Sequence, residues 1–170
     1  MRVAASSLQY EFAERLWSVS LGAWAFSRAV PDLSELSYRT TTDGRFVFGF
    51  TELRGWDCVG QPPEAVAQIL FRNVVDVHLT EFHRRLRATV KVADGLLWGN
   101  AATGLVLTAR SAGRARSCTA VAEALLAQPP LADRVTAVTP ATMRRRSCCL
   151  FYRTAAGRMC GDCPLPAIPA

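Results

Sequence analysis

Lysine is nearly absent from this chain. Lys91 stands alone among 20 basic side chains, so the net charge of +6 is carried by arginine. Guanidinium groups suit carboxylate, phosphate or an acidic protein face. The arginines are spread along the chain and the aromatic residues follow apolar stripes instead of alternating with them, so nucleic acid is not an expected partner. Long apolar runs are missing too. The richest N-terminal stretch, Trp17 to Phe26, is broken by serines and bounded by Arg15 and Arg28, well short of the roughly 20 residues a membrane span needs. The first fifteen residues contain Glu11 and Glu14 and no apolar core of a secretion signal. A cytoplasmic protein without a membrane span is the expectation. Histidine occurs twice, at His78 and His83; five positions apart on a helix, the two diverge by about 140°, which excludes a shared metal face. P-loop, G-x-G-x-x-G and G-x-S-x-G motifs are all lacking, so nucleotide binding and serine-hydrolase chemistry have no visible machinery.

What is present is a chain of 170 residues, half of them hydrophobic, enough for one domain with a proper core. The expected class is α+β: a mainly helical body over 1–140 with a short β-hairpin inside it, and a cysteine-bearing C-terminal hairpin over 141–170 packed as part of the same domain. Ser6 to Gln9 resembles a capping box, and Leu8, Phe12, Leu16, Val19, Ala23, Phe26 and Val30 continue a helical stripe up to Pro31. Tyr38–Thr42 and Arg45–Phe50 flank Asp43-Gly44 as a hairpin. Pro62-Pro63 opens a long helix striped by Ala67, Phe71, Val75, Leu79, Phe82, Leu86 and Val90. Asp94 caps the next helix, whose Gly99, Ala101 and Gly104 let a neighbour pack close. Ser117 starts a further helix that stops at Gln128-Pro129-Pro130. Ser147–Arg153 favours a strand, and Thr154–Gly157 turns the chain back.

That turn would bring together Cys148-Cys149 and Cys160-Gly161-Asp162-Cys163, four soft ligands within sixteen positions. Such a set suits an iron–sulfur cluster or a structural zinc ion; zinc prefers two separated Cys-x-x-Cys knuckles, which the adjacent pair fits poorly. Consecutive side chains of a regular strand point to opposite faces, so a local twist is needed to bring Cys148 and Cys149 to one centre, and Gly161 permits an unusual backbone angle in the loop. Arg144, Arg145, Arg146, Arg153 and Arg158 surround the motif, either as counter-charge or as a solvated basic face. Arg84, Arg85 and Arg87, and Arg110, Arg114 and Arg116, read as solvated helix faces. Cys118 reads as a buried hydrophobe, Cys58 as a loop thiol and Trp98 as core. Asn100 is a candidate tie between the helical body and the cysteine tail, since a buried amide needs partners.

Ser147-Cys148-Cys149-Leu150-Phe151-Tyr152-Arg153 followed by Cys160-Gly161-Asp162-Cys163-Pro164-Leu165 resembles the C-terminal signature of the FhuF-type ferric-siderophore reductases. Leu96-Leu97-Trp98-Gly99-Asn100-Ala101-Ala102 is similar to a segment that many members carry upstream. The resemblance implies a [2Fe-2S] cluster bound by Cys148, Cys149, Cys160 and Cys163. It implies an oxidoreductase passing one electron to siderophore-bound Fe(III), with electrons from an external donor such as a ferredoxin or a flavin reductase. Two other readings stay open: a zinc-stabilised binding module with a basic docking face, and a simple [2Fe-2S] electron carrier.

Overall fold

The computed structural model describes residues 1–43, 45–112, 115–136, 143–155 and 157–169. Helix α1 runs over Arg2–Ser27 and ends where Arg28 turns left-handed at φ 61°, its N–H bonded to the Trp24 carbonyl. The Arg28 guanidinium lies over the Trp24 ring. Two small antiparallel sheets follow. Strand β1 (Ala29–Pro31) pairs with β4 (Gly55–Asp57), and β2 (Ser37–Thr40) pairs with β3 (Phe46–Gly49). Helix α2 (Pro63–Leu70) passes through a π-helical stretch, Phe71–Leu79, into α3 (Thr80–Thr89). Helices α4 (Asp94–Ser111) and α5 (Ala115–Leu126) complete the body, and a single 3₁₀ turn spans Phe151–Arg153 in the tail. The α+β class is borne out.

The seam between α1 and α4 organises the core. Phe12, Leu16, Trp17 and Leu21 share one core cluster with Ala101 and Leu105, all essentially without solvent contact; burying each large side chain stabilises by about 1.5–3 kcal/mol. Trp17 Nε1 donates to the Ala101 carbonyl at 3.0 Å, satisfying the indole N–H in the interior. Gly104 allows the approach: a Cβ there would lie 3.3 Å from Glu14 Cα. The β2–β3 hairpin lays Tyr38, Phe46 and Phe48 around Phe12, which stacks on Phe82 of α3 at 4.4 Å between centroids.

Several elements differ from the sequence expectation. Ser6 is not a cap: α1 already runs from Arg2, and the Ser6 hydroxyl inside it donates to the Cys149 carbonyl. The helix stops at Ser27, before Pro31. The β1–β4 pair was not expected. The predicted long helix is continuous over 63–89, with the π stretch inside it. There Asn73 bridges Leu33 N–H and the Pro31 carbonyl while His78 bonds the Leu33 carbonyl, so the widened turn carries two polar side chains to the segment after β1. Asp94 sits in the first turn of α4 and pairs with Arg87 instead of capping. Ser117 lies inside α5, which begins at Ala115. Ser147–Arg153 is not a strand: it is irregular up to the 3₁₀ turn, with Leu150 at φ 65°. Gly44, Arg114, Ala156 and the proposed boundary at 140/141 lie outside the described residues. No described helix is long and apolar enough to cross a membrane.

Candidate metal centre

The tail reaches the body through a short antiparallel pairing. Thr136 N–H bonds the Arg144 carbonyl and Arg146 N–H bonds the Arg134 carbonyl, each at 2.9 Å, with Val135 opposite Arg145. Alternation along an extended segment leaves Arg144 and Arg146 exposed and turns Arg145 inward, where it is 3 % exposed. Its guanidinium donates through Nε to Asp162 Oδ2 and through Nη1 to Asn100 Oδ1, both at 2.6 Å. Asp162 also accepts from Thr103 Oγ1 at 3.0 Å, and its carbonyl accepts from Arg145 N–H. Burial alone would raise the Asp162 carboxyl, but the Arg145 charge and these hydrogen bonds outweigh it and hold the group below the ordinary aspartate value. Asn100 donates in turn to the Ser6 carbonyl and hydroxyl, and Ser6 Oγ donates to the Cys149 carbonyl at 2.7 Å. The expected tie between body and tail is therefore present at Asn100. Ser147 Oγ donates to the Gly95 carbonyl at 2.7 Å over Gly99, whose missing side chain leaves room for that hydroxyl.

Cys148, Cys149, Cys160 and Cys163 are free thiols, each half-buried. Leu150 supplies the local twist: its left-handed backbone bends the chain and its N–H points to Cys148 Sγ at 3.4 Å. Cys149 Sγ meets Cys160 Sγ at 3.4 Å, and a turn binds Cys163 N–H to the Cys160 carbonyl at 3.3 Å. The structure brings Cys149 and Cys160 into contact. Cys148 adjoins the first by one peptide, about 3.8 Å along the chain, and Cys163 follows the second by that turn. Among the described residues no three His, Cys, Asp or Glu side chains converge on one point. Gly161 is not left-handed; that conformation belongs to Gly157, φ 58°, in the turn before it.

The donor set fits an iron–sulfur group. The contact pair lies within a few tenths of an ångström of the ~3.8 Å edge of a sulfur tetrahedron around a metal ion with bonds of ~2.3 Å. Burial, then the neighbouring Asp162 and Cys149, push the Cys160 thiol well above its usual range. Two sulfurs so placed do not ionise together unless a cation joins them, which is what metal ligation supplies. Beside them opens a cavity of about 590 Å³, lined among others by Tyr10, Arg110, Phe151, Arg158, Cys149 and Cys160.

Elsewhere the sequence reading is mixed. Cys58 and Cys118 are buried away from the tail, and burial raises the Cys58 thiol. Trp98 is core, in edge contact with His83. His83 pairs with Gln9 and His78 with Leu33, on separate partners. Arg84 and Arg85 pair with Glu81 on an exposed face. The roles of Arg145, Asp162, Thr103 and Ser6 were missed. The available signal was an acid inside Cys-x-x-Cys opposite three consecutive arginines.

Four free thiols on a folded-back tail, seated over a buried arginine, make a candidate metal centre at the C-terminal end of a helical body. Residues 145–165 match the family model described as the FhuF 2Fe-2S C-terminal domain. The FhuF-type resemblance is borne out, and the tail is a [2Fe-2S]-binding domain. No curated protein and no solved structure matches the chain.

Proposed function

We propose that the protein is a ferric-siderophore reductase whose [2Fe-2S] cluster is held by Cys148, Cys149, Cys160 and Cys163. The observation that carries the reading is the contact between Cys149 and Cys160, within the matched residues, at the edge of a cavity large enough for a chelate. When bound, the cluster supplies one-electron storage. Everything else falls to the chain. Arg145 and Asp162 bury a charge pair beside the thiols whose signs cancel, so what the pair contributes is the position of the cysteine loop. Ser6 and Asp162 anchor the two cysteine segments to α1 and to α4. The cavity keeps a ferric chelate beside Cys149 and Cys160. The substrate iron goes from Fe(III) to Fe(II), and an external donor, such as a ferredoxin or a flavin reductase, loses one electron per iron. Hard oxygen donors grip Fe(II) far less tightly than Fe(III), so reduction opens the chelate without destroying it.

The test is single-turnover reduction of a ferric siderophore by anaerobically reconstituted, pre-reduced protein with a ferrous trap. One Fe(II) per stored electron is expected. Cys160→Ser and Cys163→Ser should each lose the visible cluster spectrum; an unchanged spectrum in both overturns the ligand assignment. An intact cluster that transfers nothing to any ferric chelate overturns the reductase reading and leaves an electron carrier.

A further inference from the structure

We infer that the cavity beside Cys149 and Cys160 is the chelate site and that it selects oxygen-donor chelates of net negative charge, with Arg110 and Arg158 as their contacts; the inference rests on the reductase reading above. The two arginines come from separate parts of the chain, Arg110 from the last turn of α4 and Arg158 from just after the left-handed Gly157, and they line one cavity. Both are exposed. Neither makes an ion pair among the described residues, whereas Arg84, Arg85, Arg87 and Arg145 all do. The carboxylate in the cavity lining, Asp162, is already committed to Arg145, and Glu14 lies in the adjoining cleft that shares Tyr10 and Leu107. Arg144 adds a third guanidinium without a carboxylate, bonded to the Met143 and Gly161 carbonyls at the cavity edge.

The arithmetic of charge gives these groups a purpose. In the state that gives up the electron, four thiolates, two sulfides, one ferric and one ferrous ion sum to about −3, a charge that repels an anionic chelate from the one place where electron transfer is short. Arg110 and Arg158 in the lining, with Arg144 beside it, offset that charge. A neutral or cationic chelate needs no such offset and gains nothing from the free guanidiniums. Tyr10 completes the lining with a phenol O–H that can donate to a chelate oxygen.

Redox-inert Ga(III) chelates separate binding from turnover. Isothermal titration of the reconstituted protein should show a triply anionic Ga(III) tris-catecholate binding at least about tenfold tighter than a neutral Ga(III) tris-hydroxamate, a preference that shrinks with added salt. The double variant Arg110→Gln/Arg158→Gln, with its cluster spectrum retained, should lose about tenfold for the anionic chelate and stay within about threefold for the neutral one. Arg158→Gln alone, in an exposed loop, should give part of the loss. Equal binding of the two chelates, binding of neither, or a preference that survives the double variant overturns the inference. Failure to reduce either ferric chelate, with gallium selectivity intact, overturns the reductase reading instead.

Discussion

Removing Arg145 should cost more than removing any other arginine in the tail. In Arg145→Met the Asp162 carboxylate, its side chain 12 % exposed, keeps the Thr103 hydroxyl as its side-chain donor, and Asn100 Oδ1 loses its guanidinium donor. Breaking one side of a buried ion pair costs about 3–5 kcal/mol, because the surviving charge is left uncompensated. Against a typical total of about 5–15 kcal/mol for a domain, that is a large fraction. Replacing both partners with apolar groups removes the stranded charge and is often close to neutral. The double variant Arg145→Met/Asp162→Leu should therefore recover most of the loss, giving a coupling of several kcal/mol in a double-mutant cycle. Urea unfolding of the cluster-free chain measures this without the contribution of bound iron. A single variant within about 1 kcal/mol of the parent, or a double variant no better than the single, refutes the claim that this pair anchors the cysteine loop.

Two further outcomes follow from the packing. Gly99→Val, whose added Cβ alone overlaps Ser147 Oγ, should destabilise by about 1–3 kcal/mol through overpacking and lower the cluster content; an unchanged urea midpoint refutes the seating of the tail on α4. His83 is pushed down to about 3 by burial and then by Arg87, so below the usual histidine value of about 6.5 the unfolded chain takes the proton first and stability falls as pH falls from about 6.5 towards 3. The slope is up to about 1.4 kcal/mol per pH unit, and His83→Leu should flatten it by that amount between pH 6 and 4.5; identical slopes in the two proteins refute a neutral buried His83.

The cysteines were legible in the sequence because their spacing is a local property: a turn between two close pairs returns one pair towards the other whatever the body does. Gly99 and Gly104 were legible for a related reason, since small residues recurring along one helix let a neighbour pack close. The role of Arg145 was not. Its partners lie 17 and 45 positions away, and three consecutive arginines read equally well as a wet surface until the Val135 pairing decides which one turns inward. The β1–β4 pair escaped because three-residue strands, one containing Pro31, carry no alternation to detect. The π stretch escaped because its apolar residues still recur every four positions, the same signal an α-helix gives. Ser6 illustrates the reverse error: the pattern of a cap was present, but the hydroxyl was claimed by a carbonyl 143 positions away.

A buried ion pair is rarely the most stabilising choice for an interior position, so its place here calls for another reason. Cys149 is held through its carbonyl by Ser6 on α1. The Cys160–Cys163 loop is held through Asp162 by Thr103 on α4. Arg145 and Asn100 join the two anchorages into one hydrogen-bonded chain. The separation of the two sulfurs thus depends on how α1 sits on α4, which Gly104 and the Trp17–Ala101 bond determine. An apolar pair could fill the same volume but could not specify which atom of the loop faces which atom of the helix. Directional bonds at that point convert the packing of a helical core into the spacing of two thiols, and the position of the cysteine pair is set by residues that no cysteine motif contains.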